Sequence, residues 1–214
     1  MRERPPLSNE LELVHSEIVT CTKCELHKER KNAVPGEGPI DARIMFVGEG
    51  PGQNEDQQGR PFVGAAGKFL TELLESIGLK RSDVFITNIV KCRPPNNRAP
   101  KKPEIEACNP YLQSQIRLIN PRIICALGTP AITTLMGDEY SASRFHGKPV
   151  TKGEVTILAM YHPAAALYDA SLKETILQDF QILKQFLDKQ EPSTSKAQKS
   201  PEPNAKKQSL ENWV

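Results

Sequence analysis

Four of the five cysteines in this 214-residue chain are spaced as ligands of a metal centre would be. Cys21 and Cys24 form a C-x2-C, and after a long gap Cys92 and Cys108 form a C-x15-C. Four thiolates suit a tetrahedral zinc or a cubane iron–sulfur cluster, and spacing alone leaves both open, zinc being the commoner occupant. The odd cysteine count and the C-x-x-C favour metal binding over a disulfide framework. Cys125 stands apart in the apolar run Ile123 to Leu127 and reads as a small buried hydrophobe.

A second concentration of chemistry is the glycine-rich stretch Gly48 to Gly67, GEGPGQNEDQQGRPFVGAAG. Glycine accumulates where backbone turns sharply or approaches a ligand closely. Neither G-x-G-x-x-G nor the phosphate-loop pattern G-x-x-x-x-G-K-[ST] occurs here. The informative residues are therefore Glu49, Glu55, Asp56 and Phe62, together with Asn88 and the pair His162-Pro163 further on.

These residues must be positioned by elements that the hydrophobic pattern outlines. A helix carrying Leu11, Val14 and Ile18 runs into Cys21, so the first two cysteines sit at a helix end. Ile44 to Val47 reads as a strand, Gly48 to Gly67 as the loop leaving it, and Phe69 to Gly78 as a helix. Val84 to Val90 is a second strand, Arg93 to Lys102 a loop, and Pro103 opens a helix that carries Cys108. Arg122 to Leu127 and Val155 to Met160 are the third and fourth strands; Gly128-Thr129-Pro130 starts one helix, and Leu172 to Leu187 is the last. Alternating strands and helices predict an α/β fold of three layers, α/β/α, around a mainly parallel four-stranded sheet. In that fold the glycine-rich loop, Asn88, Gly128 and His162 all fall at carboxyl ends of strands, where one crevice collects them.

Composition bounds the rest. The net charge of +2 decides little, but Lys80 to Lys102 holds Lys80, Arg81, Lys91, Arg93, Arg98, Lys101 and Lys102 against Asp83 alone. Such a run either follows a phosphate backbone or is a solvated loop with scattered cations. No apolar leader and no run near the ~18 residues of a membrane span are present, so a cytoplasmic, nucleoid-associated monomer is expected. Residues 1–188 form the expected domain. Residues 189–214 have the Lys, Gln, Ser, Pro and Glu composition of a disordered tail. Its end places Leu210, Trp213 and Val214 at i, i+3 and i+4, and Trp213 is the only tryptophan in the chain. That pattern resembles the peptide that replication and repair proteins insert into sliding clamps, with Lys207 where the usual glutamine stands.

GEGPG, ED, GRPFVG and AG within Gly48 to Gly67, Thr87-Asn88-Ile89-Val90-Lys91-Cys92-Arg93-Pro94, Ala126-Leu127-Gly128 and His162-Pro163 occur in order. Together they resemble the family 4 uracil-DNA glycosylases, and the resemblance covers roughly Glu10 to Leu187. It implies a parallel four-stranded sheet between helices and moves the metal assignment from zinc to a [4Fe-4S] cluster on Cys21, Cys24, Cys92 and Cys108. The implied substrate is uracil-containing DNA, from which uracil is excised to leave an abasic site. Phe62 would stack on the flipped base, Asn88 would read N3 and O4, and His162 would donate to O2 as charge builds there. Backbone N–H groups around Gly48 to Gly52 would contact the same base.

An aspartate often occupies the third position of the first motif in the wider superfamily. It is Gly50 here, which leaves Glu49 as the carboxylate for the attacking water. At the fifth position, where some relatives use tyrosine against the thymine methyl, stands Gly52, so Glu55 is nominated to guard C5. Leu167 is the expected wedge into the emptied stack, and Lys91, Arg93 and Arg98 the expected phosphate contacts. The competing reading, motivated by Gly50, is a non-catalytic iron–sulfur DNA-binding scaffold linked to the clamp. A relative that bonds covalently to DNA would carry a basic, histidine-bearing insertion after the second strand, and Arg93 to Pro103 has no histidine.

Overall fold

The computed structural model describes residues 7–190. The expected tail motif of Leu210, Trp213 and Val214 lies outside the described residues. In chain order the elements are α1 (Leu7–Thr20), β1 (Ile44–Gly48), α2 (Gln53–Gln58), α3 (Ala65–Ser76), β2 (Phe85–Asn88), α4 (Lys102–Ile119) and β3 (Ile123–Leu127). After these come α5 (Thr129–Met136), α6 (Ala142–Phe145), β4 (Pro149–Lys152), β5 (Val155–Met160), α7 (Ala165–Tyr168) and α8 (Leu172–Gln190).

The strands form one sheet in the order β2-β1-β3-β5-β4. β1 pairs in parallel with β2 and β3, and β3 with β5, while β4 runs antiparallel to β5. The sheet thus has five strands, not the four expected. The extra one, β4, alternates exposed and half-buried positions and begins at Pro149. A short edge strand with proline and lysine leaves no apolar period to detect, and those same features protect the edge from further pairing. By contrast β1, β2 and β3 are buried at every position. Strands covered on both faces read as continuous apolar runs, which is why these were visible.

Alternation along the strands divides the core into two layers. Met45, Val47, Ile124, Ala126 and Ile157 pack with Leu11 and Ile18 of α1, Leu112 and Ile116 of α4, and Ile132 and Leu135 of α5. Ile44, Phe46, Ile123, Cys125, Leu158 and Met160 turn the other way, onto Leu70, Leu73 and Leu74 of α3 and Ile176, Phe180 and Leu183 of α8. Phe46 and Phe180 stack at 5.8 Å between ring centroids. Each fully buried apolar side chain of this kind contributes roughly 1.5–3 kcal/mol.

Three local differences bear on the site. The glycine-rich stretch contains a short helix, α2, which has no apolar periodicity and rests on caps: the Glu55 carboxylate accepts the Gly52 N–H, and Gly59 closes the helix at φ 69°. β2 stops at Asn88 rather than at Val90, and α8 extends to Gln190, past the expected boundary at 188. Because β1 has β2 on one side and β3 on the other, the chain reverses direction across the sheet at β1, which makes the crevice beyond its carboxyl end the place for a ligand. Among the described residues no helix is long and apolar enough to cross a membrane.

Candidate active site

β1 and β2 pair in register, with Gly48 opposite Asn88. Asn88 is buried, and among the described residues its side-chain amide makes no hydrogen bond, so a donor and an acceptor stay free for a ligand. Gly48 allows this approach. A Cβ there would fall 2.5 Å from Asn88 Oδ1 and 2.7 Å from Phe62 Cζ. Phe62 is buried and has φ 50°, left-handed backbone that costs a residue with a side chain about 1–2 kcal/mol. Its ring lies nearly parallel to that of His162, at 5.4 Å between centroids and 24° between planes.

His162 follows β5. Its Nδ1 accepts the N–H of Ala164 at 3.1 Å, so in the neutral ring the proton resides on Nε2. Burial lowers its pKa to about 4, with Glu55 opposing the shift. At neutral pH the side chain is therefore an uncharged N–H donor.

His162 also lines a cleft of about 320 Å³ to which three segments contribute: Glu49, Gly50, Pro51 and Gly52; Pro94, Asn97, Arg98 and Pro100; and Ala164, Ala165 and Tyr168. Phe62 and Asn88 are not among its lining residues. Burial raises the Glu49 carboxyl above the ordinary carboxylate range. A Cβ at Gly50 would come 2.9 Å from Val90 Cγ2, and one at Gly52 2.8 Å from Glu55 Oε2. Glu55 thus fills the space that a side chain at 52 would need. Its carboxylate is also engaged: Oε2 accepts Gly52 N–H at 3.1 Å, and Oε1 accepts the N–H groups of Val63 and Gly64, each at 2.8 Å.

The four cysteines come together in a second place. Cys21 follows α1, Cys24 precedes a 3-10 turn (Glu25–Lys28), Cys92 follows β2, and Cys108 lies on α4; all four line one cavity with Ile18, Ala107 and Tyr111. As placed, no three His, Cys, Asp or Glu side chains among the described residues converge as the ligands of a single ion. The donor set nevertheless fits a thiolate-bound group. Three N–H groups donate to the sulfurs: Lys23 N to Cys21 Sγ at 3.5 Å, Lys91 N to Cys108 Sγ at 3.3 Å, and Arg30 Nη1 to Cys92 Sγ at 3.1 Å. Such donors offset negative charge on sulfur. Cys125 is not in this cavity; it is fully buried in β3, and burial raises its thiol pKa strongly.

A model of the uracil DNA glycosylase superfamily matches residues 35–181. The chain belongs to the uracil-DNA glycosylase superfamily. Within it, a type-4 uracil-DNA glycosylase of Sulfurisphaera tokodaii is 50% identical over 185 residues, 82% of this chain and 84% of the relative. The type-4 enzyme of Saccharolobus solfataricus is 49% identical over 186 residues, 83% and 86% of the two chains. A type-5 uracil-DNA glycosylase of Pyrobaculum aerophilum is more distant, 34% identical over 149 residues.

For a superfamily member, the expected DNA-facing residues separate sharply. Lys91 is not a phosphate contact: it is 1% exposed, burial lowers its pKa to about 7, and its Nζ donates to Thr87 Oγ1 at 2.5 Å, Asn88 O at 2.8 Å and Gln115 Oε1 at 2.7 Å. A side chain this deeply buried cannot reach a phosphate. Arg98 lines the cleft but is held by Glu104 through two bonds, 2.6 and 2.8 Å. Arg93, half-buried, donates from Nε to Oδ1 of the exposed Asn97 at 2.8 Å. Leu167, the expected wedge, is 53% exposed on α7 beside the cleft. Its neighbour Tyr168, 92% exposed and lining the cleft, was not singled out in the sequence; a lone tyrosine in Ala164 to Asp169 carries no period that would mark it.

Proposed function

We propose that this chain is a uracil-DNA glycosylase that draws deoxyuridine out of the duplex and hydrolyses its N-glycosidic bond, leaving an abasic site. One observation carries the reading: a buried Asn88 amide, unpartnered among the described residues, lies at the same carboxyl-terminal end of the sheet as a histidine held neutral with its proton on Nε2. The relatives' names point to the same activity.

The residues divide the work as follows. The Asn88 amide accepts from uracil N3–H and donates to O4. Cytosine reverses that pattern, and a fixed amide rejects it by leaving buried polar groups unpaired. Phe62 covers the base face, and backbone N–H groups of Gly48 to Gly52 border its edge. As the N1–C1′ bond breaks, electrons pass to the uracil ring and His162 Nε2–H donates to the O2 that gains charge. Glu49 orients the water whose oxygen bonds to C1′, and the water's proton passes toward that carboxylate. Glu55, by occupying the side-chain space of residue 52, closes the pocket near C5. Arg93, Arg98 and Leu167 face the DNA strand.

Cys21, Cys24, Cys92 and Cys108 would hold a [4Fe-4S] cluster, which when bound supplies a covalent tie among the end of α1, the exit of β2 and α4. We take the domain as running to the end of α8 at Gln190, the protein as a cytoplasmic monomer, and Leu210, Trp213 and Val214 as a sliding-clamp contact. A uracil-containing oligonucleotide incubated with the protein and then treated with alkali tests the activity. Scission at the uracil is expected, and none above a protein-free control would leave the non-catalytic scaffold as the better reading.

A further inference from the structure

Arg81 counted toward the basic run of the sequence, yet it is turned inward. It lies in the turn before β2, where its Nε donates to Glu37 Oε1 at 2.7 Å and its Nη1 to the carbonyl of Phe62 at 3.0 Å. Nη2 donates to the carbonyl of Pro61. Glu37 is anchored in turn: its N–H donates to Ile86 O at 3.0 Å, its carbonyl accepts Ile86 N–H at 2.8 Å, and its carboxylate also accepts Arg60 Nε at 2.9 Å.

The segment these groups hold is the one that has adopted left-handed backbone, Phe62 at φ 50°. On its other side Glu55 takes the next two N–H groups, those of Val63 and Gly64. Gly67 at the start of α3 packs against the Phe62 carbonyl so closely that a Cβ there would collide with it. The peptides flanking Phe62 are therefore gripped by a cation on two carbonyls and a carboxylate on two N–H groups, while the ring itself meets His162. Ring orientation is set by backbone, and the backbone is set from outside the pocket.

We propose that Arg81, steadied by Glu37, is a positioning residue for base stacking: its bonds to the Pro61 and Phe62 carbonyls hold Phe62 in the left-handed conformation that presents its ring to the flipped uracil. This rests on the reading of Phe62 as the stacking residue. Arg81 touches no substrate and acts only through Phe62. Replacing it leaves Glu37 paired with Arg60, so the change strands no carboxylate.

The test is a double-mutant cycle on the full-length, cluster-loaded protein. It compares Phe62→Ala, Arg81→Met and the double variant by single-turnover kcat/KM on uracil-containing duplex and by inhibition with free uracil. Phe62→Ala is expected to weaken both about tenfold and Arg81→Met about fivefold, whereas Arg81→Met in the Phe62→Ala background should change either by less than about twofold. Affinity for abasic-site duplex, which has no base to stack, should be unchanged in all three. Multiplicative losses in the double variant would overturn the role of Arg81 while leaving Phe62 as the stacking residue. No effect of Phe62→Ala would overturn both. If Arg81→Met does not fold, Arg81→Lys, which keeps the charge but lacks the planar fork that holds both carbonyls and Glu37 at once, should lose an intermediate factor, again only when Phe62 is present; the same loss in both backgrounds would overturn the proposal.

Discussion

The backbone N–H of Ala164 donates to His162 Nδ1 at 3.1 Å, and this one bond decides which nitrogen of the ring can donate. Protonating His162 would turn that acceptor into a second donor facing the N–H, on top of the burial that already lowers its pKa to about 4. Excision should therefore show no acid limb near the ordinary histidine value of about 6.5. Between about 6.5 and 4 the unfolded chain binds the extra proton and the folded chain does not, so this residue's contribution to stability rises with pH across that window and is constant above it. The Glu49 carboxyl, raised by burial, should instead give a rising limb above the usual carboxylate range, absent in Glu49→Gln. Single-turnover rates from pH 4.5 to 8 check this; a limb near 6.5 that disappears in His162→Gln would contradict it.

Gly48→Ala tests the fit of the pocket floor. The added methyl would meet Asn88 Oδ1 and the Phe62 ring at 2.5 and 2.7 Å, displacing the amide and the stacking face together. A displacement near 1 Å costs about a hundredfold in rate. Excision should fall by that order while thermal unfolding stays cooperative, and near-normal rates would show that the amide and ring can yield without loss.

The cysteine cavity predicts composition and stability at once. Anaerobically purified protein should be brown and contain about four irons per chain. Cys108→Ser should lose most of the iron and lower the melting temperature, because the proposed cluster would no longer tie α4 to the end of α1 and the exit of β2. Iron assay and visible absorption read the first, calorimetry the second. A colourless protein containing one zinc would assign the thiolates to a different metal.

Lys91 and Arg93 should behave oppositely on DNA. Arg93→Ala should reduce the slope of log affinity against log salt by about 0.9 on duplex DNA. Lys91→Met should leave that slope unchanged but destabilise the fold by about 1–3 kcal/mol, since Thr87 Oγ1, Asn88 O and Gln115 Oε1 lose their donor. Binding isotherms over a salt series, with denaturant unfolding alongside, distinguish the two. A reduced slope for Lys91→Met would mean that the side chain leaves its burial site on DNA.

The contrast shows what the sequence makes legible. Runs such as Ile123 to Leu127 are buried on both faces, so hydrophobicity alone locates the strands and, through topology, the crevice. The convergence of Cys21, Cys24, Cys92 and Cys108 on one cavity likewise follows from spacing and family resemblance. β4 escapes because half of Pro149–Lys152 faces solvent, and α2 because caps rather than apolar contacts define it. Charge is the least legible property. Lys91, Arg81 and Arg93 look alike in a basic run, yet one is sealed beneath the sheet edge, one clamps two carbonyls and one faces outward. Only tertiary packing sorts them.

Gly48 and Asn88 face each other as a registered pair on adjacent parallel strands. A slip of one residue would carry the amide about 3.3 Å along the strand and turn it to the other side of the sheet. With Asn88 as the proposed reader of the base, choosing uracil over cytosine would be recorded in main-chain pairing as much as in the identity of one side chain. A change in the length of a loop bordering the cleft leaves this register untouched, so the amide's place is set by the ladder and not by the loops above it.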